Sequence, residues 1–87
     1  DSYSLKSAYP NPFNPSTTMR LYVPVESHVV VNVYNIMGQQ VDMLHEGIMQ
    51  AGPAELTWNA SDLPSGMYIV SANANGYISS QKIMLLK

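Results

Sequence analysis

Apolar and polar residues alternate along most of this chain, and Gly, Pro or Asn interrupts the alternation at short intervals. Between Thr17 and Val23, Met19, Leu21 and Val23 fall on one face and Thr18, Arg20 and Tyr22 on the other, the pattern of a strand buried on one side. Pro24 ends that run. A second strand is expected over His28–Tyr34, with Val29, Val31 and Val33 on one face and Asn32 opposite, beside Val30 and Tyr34. "NIMG" (Asn35–Gly38) reads as a tight turn in which Gly38 supplies the positive φ of a bulged hairpin. Gln39–Leu44 then returns as its partner strand. "EGIMQAGP" is expected as a loop, followed by a short strand, Ala54–Trp58, with Ala54, Leu56 and Trp58 facing one way.

"NASDLPSG" (Asn59–Gly66) is dense in turn formers and leads into a strand over Met67–Ala74. The Asn75-Gly76 pair between two alternating runs is the strongest hairpin signal, a two-residue type I′ turn. It pairs Ala74 with Tyr77, Ala72 with Ser79, Val70 with Gln81 and Tyr68 with Ile83. Tyr68, Val70, Ala72, Ile83 and Leu85 are then the core face. Ile69, Ser71, Lys82 and Met84 form the other, because Lys82 belongs with solvent. No stretch shows a 3.6-residue repeat of useful length. The expected fold is all-β: an immunoglobulin-like β-sandwich of six to seven short, mainly antiparallel strands. The cysteine pin of antibody domains is missing, so Trp58 and the tyrosines must fill the core.

One stretch fits no strand. "YPNPFNPST", residues 9–17, holds three prolines and two asparagines, and each proline lacks an amide donor and fixes φ. Such a backbone is already restricted and so costs little entropy to order. It predicts a stiff loop of low charge leading into the first long strand.

Size and charge narrow the function classes. A chain of 87 residues makes one domain, and at that length only roughly 60–65% of the unfolded surface is buried, which leaves little core to cut a catalytic cleft into. Charged residues are 11% of the chain, below the usual ~25%, while its Val, Ile, Leu, Tyr and Thr argue against disorder. The four basic residues Lys6, Arg20, Lys82 and Lys87 are scattered, which argues against nucleic acid as a partner. No apolar run approaches the ~18 residues of a membrane span, so no direct membrane insertion is expected. Without cysteine there is neither a disulfide nor thiol catalysis. The first residue is Asp1 rather than Met, which reads as a fragment of a larger polypeptide: residues 1–8 a linker remnant, residues 9–87 the domain.

No catalytic constellation emerges. His28 and His45 stand far apart, one expected at a strand start and the other at a strand end, and neither has a metal-ligand spacing. Asp42 and Glu46 are explained by a water-exposed strand edge. Asn59, Ser61 and Asp62 offer oxygens that suit calcium, but a turn-stabilising side chain accounts for them more simply. No serine sits in GxSxG or beside a patterned His and acid. Asn59-Ala60-Ser61 matches a glycosylation acceptor by chance frequency, and the proline disqualifies Asn14-Pro15-Ser16. Trp58 with exposed tyrosines could form a sugar-stacking platform, although a lone tryptophan in an alternating strand more often packs in the core. The chain is expected to be no enzyme, with no metal and no cofactor.

Taken together, "YPNPFNPSTT", "VVVNVYNIMGQQV", "LPSGMYIV" and the closing "QKIMLLK" resemble, in order and spacing, the C-terminal sorting domain of type IX secretion substrates. The pattern is similar to that of the related immunoglobulin-like segment of flagellar hook-capping proteins. The resemblance runs from about Tyr9 to Lys87. It implies a small immunoglobulin-like sandwich that follows large secreted or surface proteins of Gram-negative bacteria. Its implied partners are the outer-membrane type IX machinery, its sortase, and the N-terminal cargo domains of the parent protein. The implied route runs through the periplasm to the cell surface or medium, where cleavage and surface attachment can follow. The candidate recognition residues are Tyr9, Pro10, Asn11, Pro12, Phe13, Asn14 and Pro15 in the proline loop, Gly66 and Tyr68 in the Gly-x-Tyr motif, and Lys82 and Lys87 in the terminal strand. Each has a structural alternative: the prolines pre-set a loop, Phe13 plugs the core, Gly66 serves a turn, and Tyr68 faces inward. The competing function is an immunoglobulin-like accessory module for carbohydrate binding or spacing, which requires Trp58, Tyr22 or Tyr34 on the surface. A third is an assembly domain like the hook-capping relative.

Overall fold

The computed structural model describes residues 2–87, and every regular element among them is a strand. In chain order these are β1 (Ser4–Leu5), β2 (Ser16–Val23), β3 (Ser27–Asn35), β4 (Gln40–Met49), β5 (Gly52–Asn59), β6 (Gly66–Ala74) and β7 (Tyr77–Leu85). They form two sheets, one ordered β1-β2-β5 and the other β4-β3-β6-β7, with every strand pairing antiparallel. The fold is the expected all-β sandwich.

The alternation read from the sequence positions the core. Met19, Leu21 and Val23 of β2 meet Val29, Val31 and Val33 of β3, Leu56 and Trp58 of β5, Val70 and Ala72 of β6, and Ile83 and Leu85 of β7, all buried. β6 and β7 pair in the predicted register throughout, from Ala74↔Tyr77 to Gly66↔Leu85. Asn75 and Gly76 have φ of 50° and 91°, the two positive values a type I′ turn demands. At the other hairpin, the Gly38 amide donates to Asn35 O and the Asn35 amide to Gln39 O.

Two expectations fail at β4. Residues 46–53 are not a loop: β4 continues to Met49, β5 starts at Gly52, and only Gln50 and Ala51 connect them. Gly47, Gly52 and Pro53 mimic loop punctuation, yet Pro53 lies on the edge strand β5, where a missing amide breaks no ladder bond. His45 therefore sits inside β4, opposite Val31, and not at a strand end. β4 also carries two bulges, with Leu44 and Val41 as the extra residues between the pairs Val31↔His45, Asn32↔Met43, Val33↔Asp42 and Tyr34↔Gln40. Both side chains pack against the core. The bulges bend this edge away from regular pairing with a further strand.

The residues ahead of the proline loop lie against the sandwich. β1 pairs with the end of β2, Tyr3 stacks on Tyr77 at a centroid distance of 5.4 Å, and Ala8 is buried. The Gln81 side chain grips this segment twice. Its Nε2 donates to Lys6 O at 3.0 Å, and its Oε1 accepts from the Ala8 amide at 2.8 Å.

Antiparallel order also sorts the connections to two ends. The proline loop, the Ile36–Gln39 turn, the 60–65 loop and the chain end after β7 gather at one pole. The 24–26, 50–51 and 75–76 turns lie at the other.

Candidate functional site

β7 is an edge strand, and its last stretch is covered by the proline loop. The Phe13 amide donates to Met84 O at 2.9 Å, and the Leu86 amide donates to Phe13 O at 3.0 Å, a short parallel bridge. One turn of chain earlier, the Asn11 side chain does the work of a peptide group. Its Nδ2 donates to Lys82 O at 3.1 Å and its Oδ1 accepts from the Met84 amide at 3.0 Å. Four successive outward groups of the edge, Lys82 O, Met84 N–H, Met84 O and Leu86 N–H, are thus satisfied by two loop residues. An open edge is a template for pairing with other chains, and this loop closes half of one.

The loop is anchored on its other side by the first sheet. Tyr9 and Thr18 exchange both backbone bonds, at 2.9 and 3.1 Å. The buried Thr17 donates its hydroxyl to Pro10 O at 2.7 Å, and the Ala60 amide donates to Pro15 O at 2.9 Å. The Tyr9-Pro10, Asn11-Pro12 and Asn14-Pro15 peptide bonds are all cis. Between these anchors Phe13 turns inward and is 2% exposed. Its ring packs on Trp58 at 5.7 Å, and Trp58 meets Tyr68 edge to face at 5.4 Å. Such contacts add roughly 0.5–1.5 kcal/mol beyond area burial.

The Gly-x-Tyr motif and the terminal lysine reach the same pole. Gly66 pairs with Leu85, and the Tyr68 hydroxyl donates to Pro64 O at 2.7 Å, fixing the 60–65 loop. The Lys87 amide donates to Ser65 Oγ at 2.9 Å, and Lys87 Nζ to Ser61 O. Of the residues singled out in the sequence, Phe13 and Tyr68 are therefore buried. Tyr9, Pro10, Asn11, Pro12, Asn14, Lys82 and Lys87 are exposed, and Pro15 and Gly66 are half-buried. Lys82 contributes its carbonyl to the clasp while its side chain stands on the outer face of the sheet, opposite Ile69.

Other candidates resolve into structural roles. Trp58 is 1% exposed, and its Nε1 donates to Asp42 Oδ2 at 2.8 Å. Asp42 is thus more than a solvated edge carboxylate, a role no alternation pattern could have shown. Asn59 Oδ1 accepts from the Ser61 amide at 2.9 Å, the turn-stabilising bond. No group of His, Cys, Asp or Glu among the described residues could hold a metal ion. Sequence reasoning missed Ile36 and Met37, apolar tips of the "NIMG" turn that are 74% and 78% exposed at this pole. Their signal was visible: two large apolar residues in the middle of a tight turn.

A family model described as the secretion system C-terminal sorting domain matches residues 7–86. No curated protein matches the chain in sequence. Among solved structures, the chain is similar to the crystal structure of dimeric latent PorU from Porphyromonas gingivalis, with a TM-score of 0.66 and 19% identity. That likeness covers 99% of this chain and 10% of PorU, so the chain spans about a tenth of its neighbour, and what the two share is a fold.

Proposed function

Since the chain belongs to the secretion system C-terminal sorting domain family, we propose that the secretion machinery reads it as an assembled surface rather than as a linear tag. The chain is a type IX sorting signal. The proposal adds that the exposed face of the proline loop, clasped onto the end of β7, is what distinguishes it. The observation that carries this is the clasp itself. Residues 9–15 and 82–87 lie at opposite ends of the sequence, yet Asn11 and Phe13 hydrogen-bond directly to Lys82, Met84 and Leu86.

On this reading the domain is non-catalytic. It engages the outer-membrane type IX machinery and carries N-terminal cargo through the periplasm to the surface or medium, where a sortase can cleave and attach it. Tyr9, Pro10, Asn11, Pro12, Asn14 and Lys87 present the readable face, while Phe13 and Tyr68 hold it in shape. An uncharged rigid loop suits a receptor that must bind one label on unrelated cargos. The carbohydrate-binding alternative is not favoured, because Trp58, its natural platform, is in the core.

The test is export of a reporter carrying a Sec signal and this chain at its C-terminus, in a host with the type IX system. A second fusion lacks residues 82–87. The intact fusion is expected at the surface or in the medium and the shortened one in the periplasm. Periplasmic retention of both, with the chain folded, overturns the reading.

A further inference from the structure

At the clasp's pole, the "NIMG" turn faces the 60–65 loop across an apolar cleft of about 240 Å³, whose walls include Ile36, Met37, Val41, Leu63, Pro64 and Met67. None of the residues lining it carries a charge, and the Tyr68 hydroxyl at its base is already spent on Pro64 O. Tight turns ordinarily expose Asn, Asp, Ser or Gly. Here the two central positions are a large aliphatic residue and a methionine, both mostly exposed.

The turn that presents them is rigid. Asn35 Oδ1 accepts from the Met37 amide at 2.9 Å and from the Gln39 amide at 3.0 Å, and Asn35 Nδ2 donates to Gln39 Oε1 at 2.8 Å. Two backbone bonds, Asn35 N to Gln39 O and Gly38 N to Asn35 O, close it further. Five hydrogen bonds thus fix a turn at whose tip the side chains of Ile36 and Met37 stand mostly in solvent. A site fixed in advance loses less freedom on binding.

We infer that this cleft seats a short, uncharged aliphatic segment of a protein of the export machinery, with Ile36 and Met37 as the gripping wall. The inference rests on the sorting-signal reading above and extends its surface beyond the proline loop. The absence of charge from the lining selects an occupant without charge, since a buried unpaired ion is costly. A cleft of about 240 Å³ has room for a few side chains, so one short segment fills it. A lipid surface is disfavoured because the cleft carries no basic residue to meet anionic headgroups.

The experiment compares export of four reporter fusions: the parent chain, Ile36→Ser with Met37→Asn, Met67→Gln on the opposite wall, and Ile36→Leu with Met37→Leu. The two polar variants are expected to lower the exported fraction by about tenfold or more, and the leucine variant to restore it. Thermal unfolding of the purified chains checks that the polar variants stay folded; both change exposed side chains. If the parent fusion is exported and both polar variants are exported equally well, this inference falls while the sorting reading stands. If the parent itself is retained, the sorting reading fails and takes this inference with it. Sedimentation as a dimer, or with phosphatidylethanolamine–phosphatidylglycerol vesicles, that the polar variants abolish would give the cleft to a second copy or to lipid, and overturn it.

Discussion

Truncating Phe13 to alanine separates a loop that is merely displayed from one that is built into the fold. The ring is almost wholly buried against Trp58, so its removal leaves a cavity that close neighbours cannot fill. Phe→Ala changes of this kind cost about 3–5 kcal/mol. A domain of this length has roughly 4–13 kcal/mol to lose, at ~0.05–0.15 kcal/mol per residue. With a urea m-value near ~1 kcal/mol/M, the midpoint should fall by about 3 M or more, or the variant should be partly unfolded in buffer. Trp58 fluorescence reports the transition, since the indole leaves the core on unfolding. Hydrogen exchange adds a local reading: the Leu86 amide, which donates to Phe13 O, should lose protection before the β3 and β6 amides do. Phe13→Leu keeps most of the volume and should cost only about 1–2 kcal/mol. A midpoint shift below ~0.5 M in Phe13→Ala, with Leu86 still protected, would refute the plug.

Asn11→Ala removes the two side-chain bonds to β7 from a solvent-exposed position, so water replaces part of the loss and the cost should be about 1–2 kcal/mol in the same denaturation. The Met84 amide should exchange faster in that variant while Leu86, still held by Phe13, stays protected; equal protection of both would show that Asn11 is dispensable. Arg20→Ala breaks the ion pair with Glu55, whose Nη2–Oε2 distance is 2.8 Å. Both partners are largely exposed, so stability should change by less than about 1 kcal/mol, and the difference between parent and variant should shrink as salt is added, as thermal melts would show.

Strands β2, β3, β6 and β7 were legible because period-2 alternation and the Asn75-Gly76 turn are local signals that tertiary packing here reinforces. Of β4 only the first half, the expected return strand, was legible; its continuation to Met49 was not, because Gly47, Gly52 and Pro53 punctuate a sequence in the same way whether they end a strand or lie on an edge where their defects are harmless. The proline loop was recognisable as stiff, but not as an edge cap. Its partners lie about seventy residues away, and an asparagine amide that substitutes for a peptide group has no sequence periodicity. Ile36 and Met37 were overlooked for the opposite reason, although two large apolar residues in the middle of a tight turn are plain in the sequence. Alternation sorts residues within strands, and these two belong to a turn.

The clasp also has a bearing on timing. A polypeptide is made from its N-terminus, and domains fold as their parts emerge. Asn11 and Phe13 find no docking site until Lys82, Met84 and Leu86 have followed, almost the last residues here. A sorting signal of this design takes its final shape only once its closing strand has been made. A receptor that recognises the clasped form alone would pass over a chain broken off early, so that the address would double as a certificate of completion.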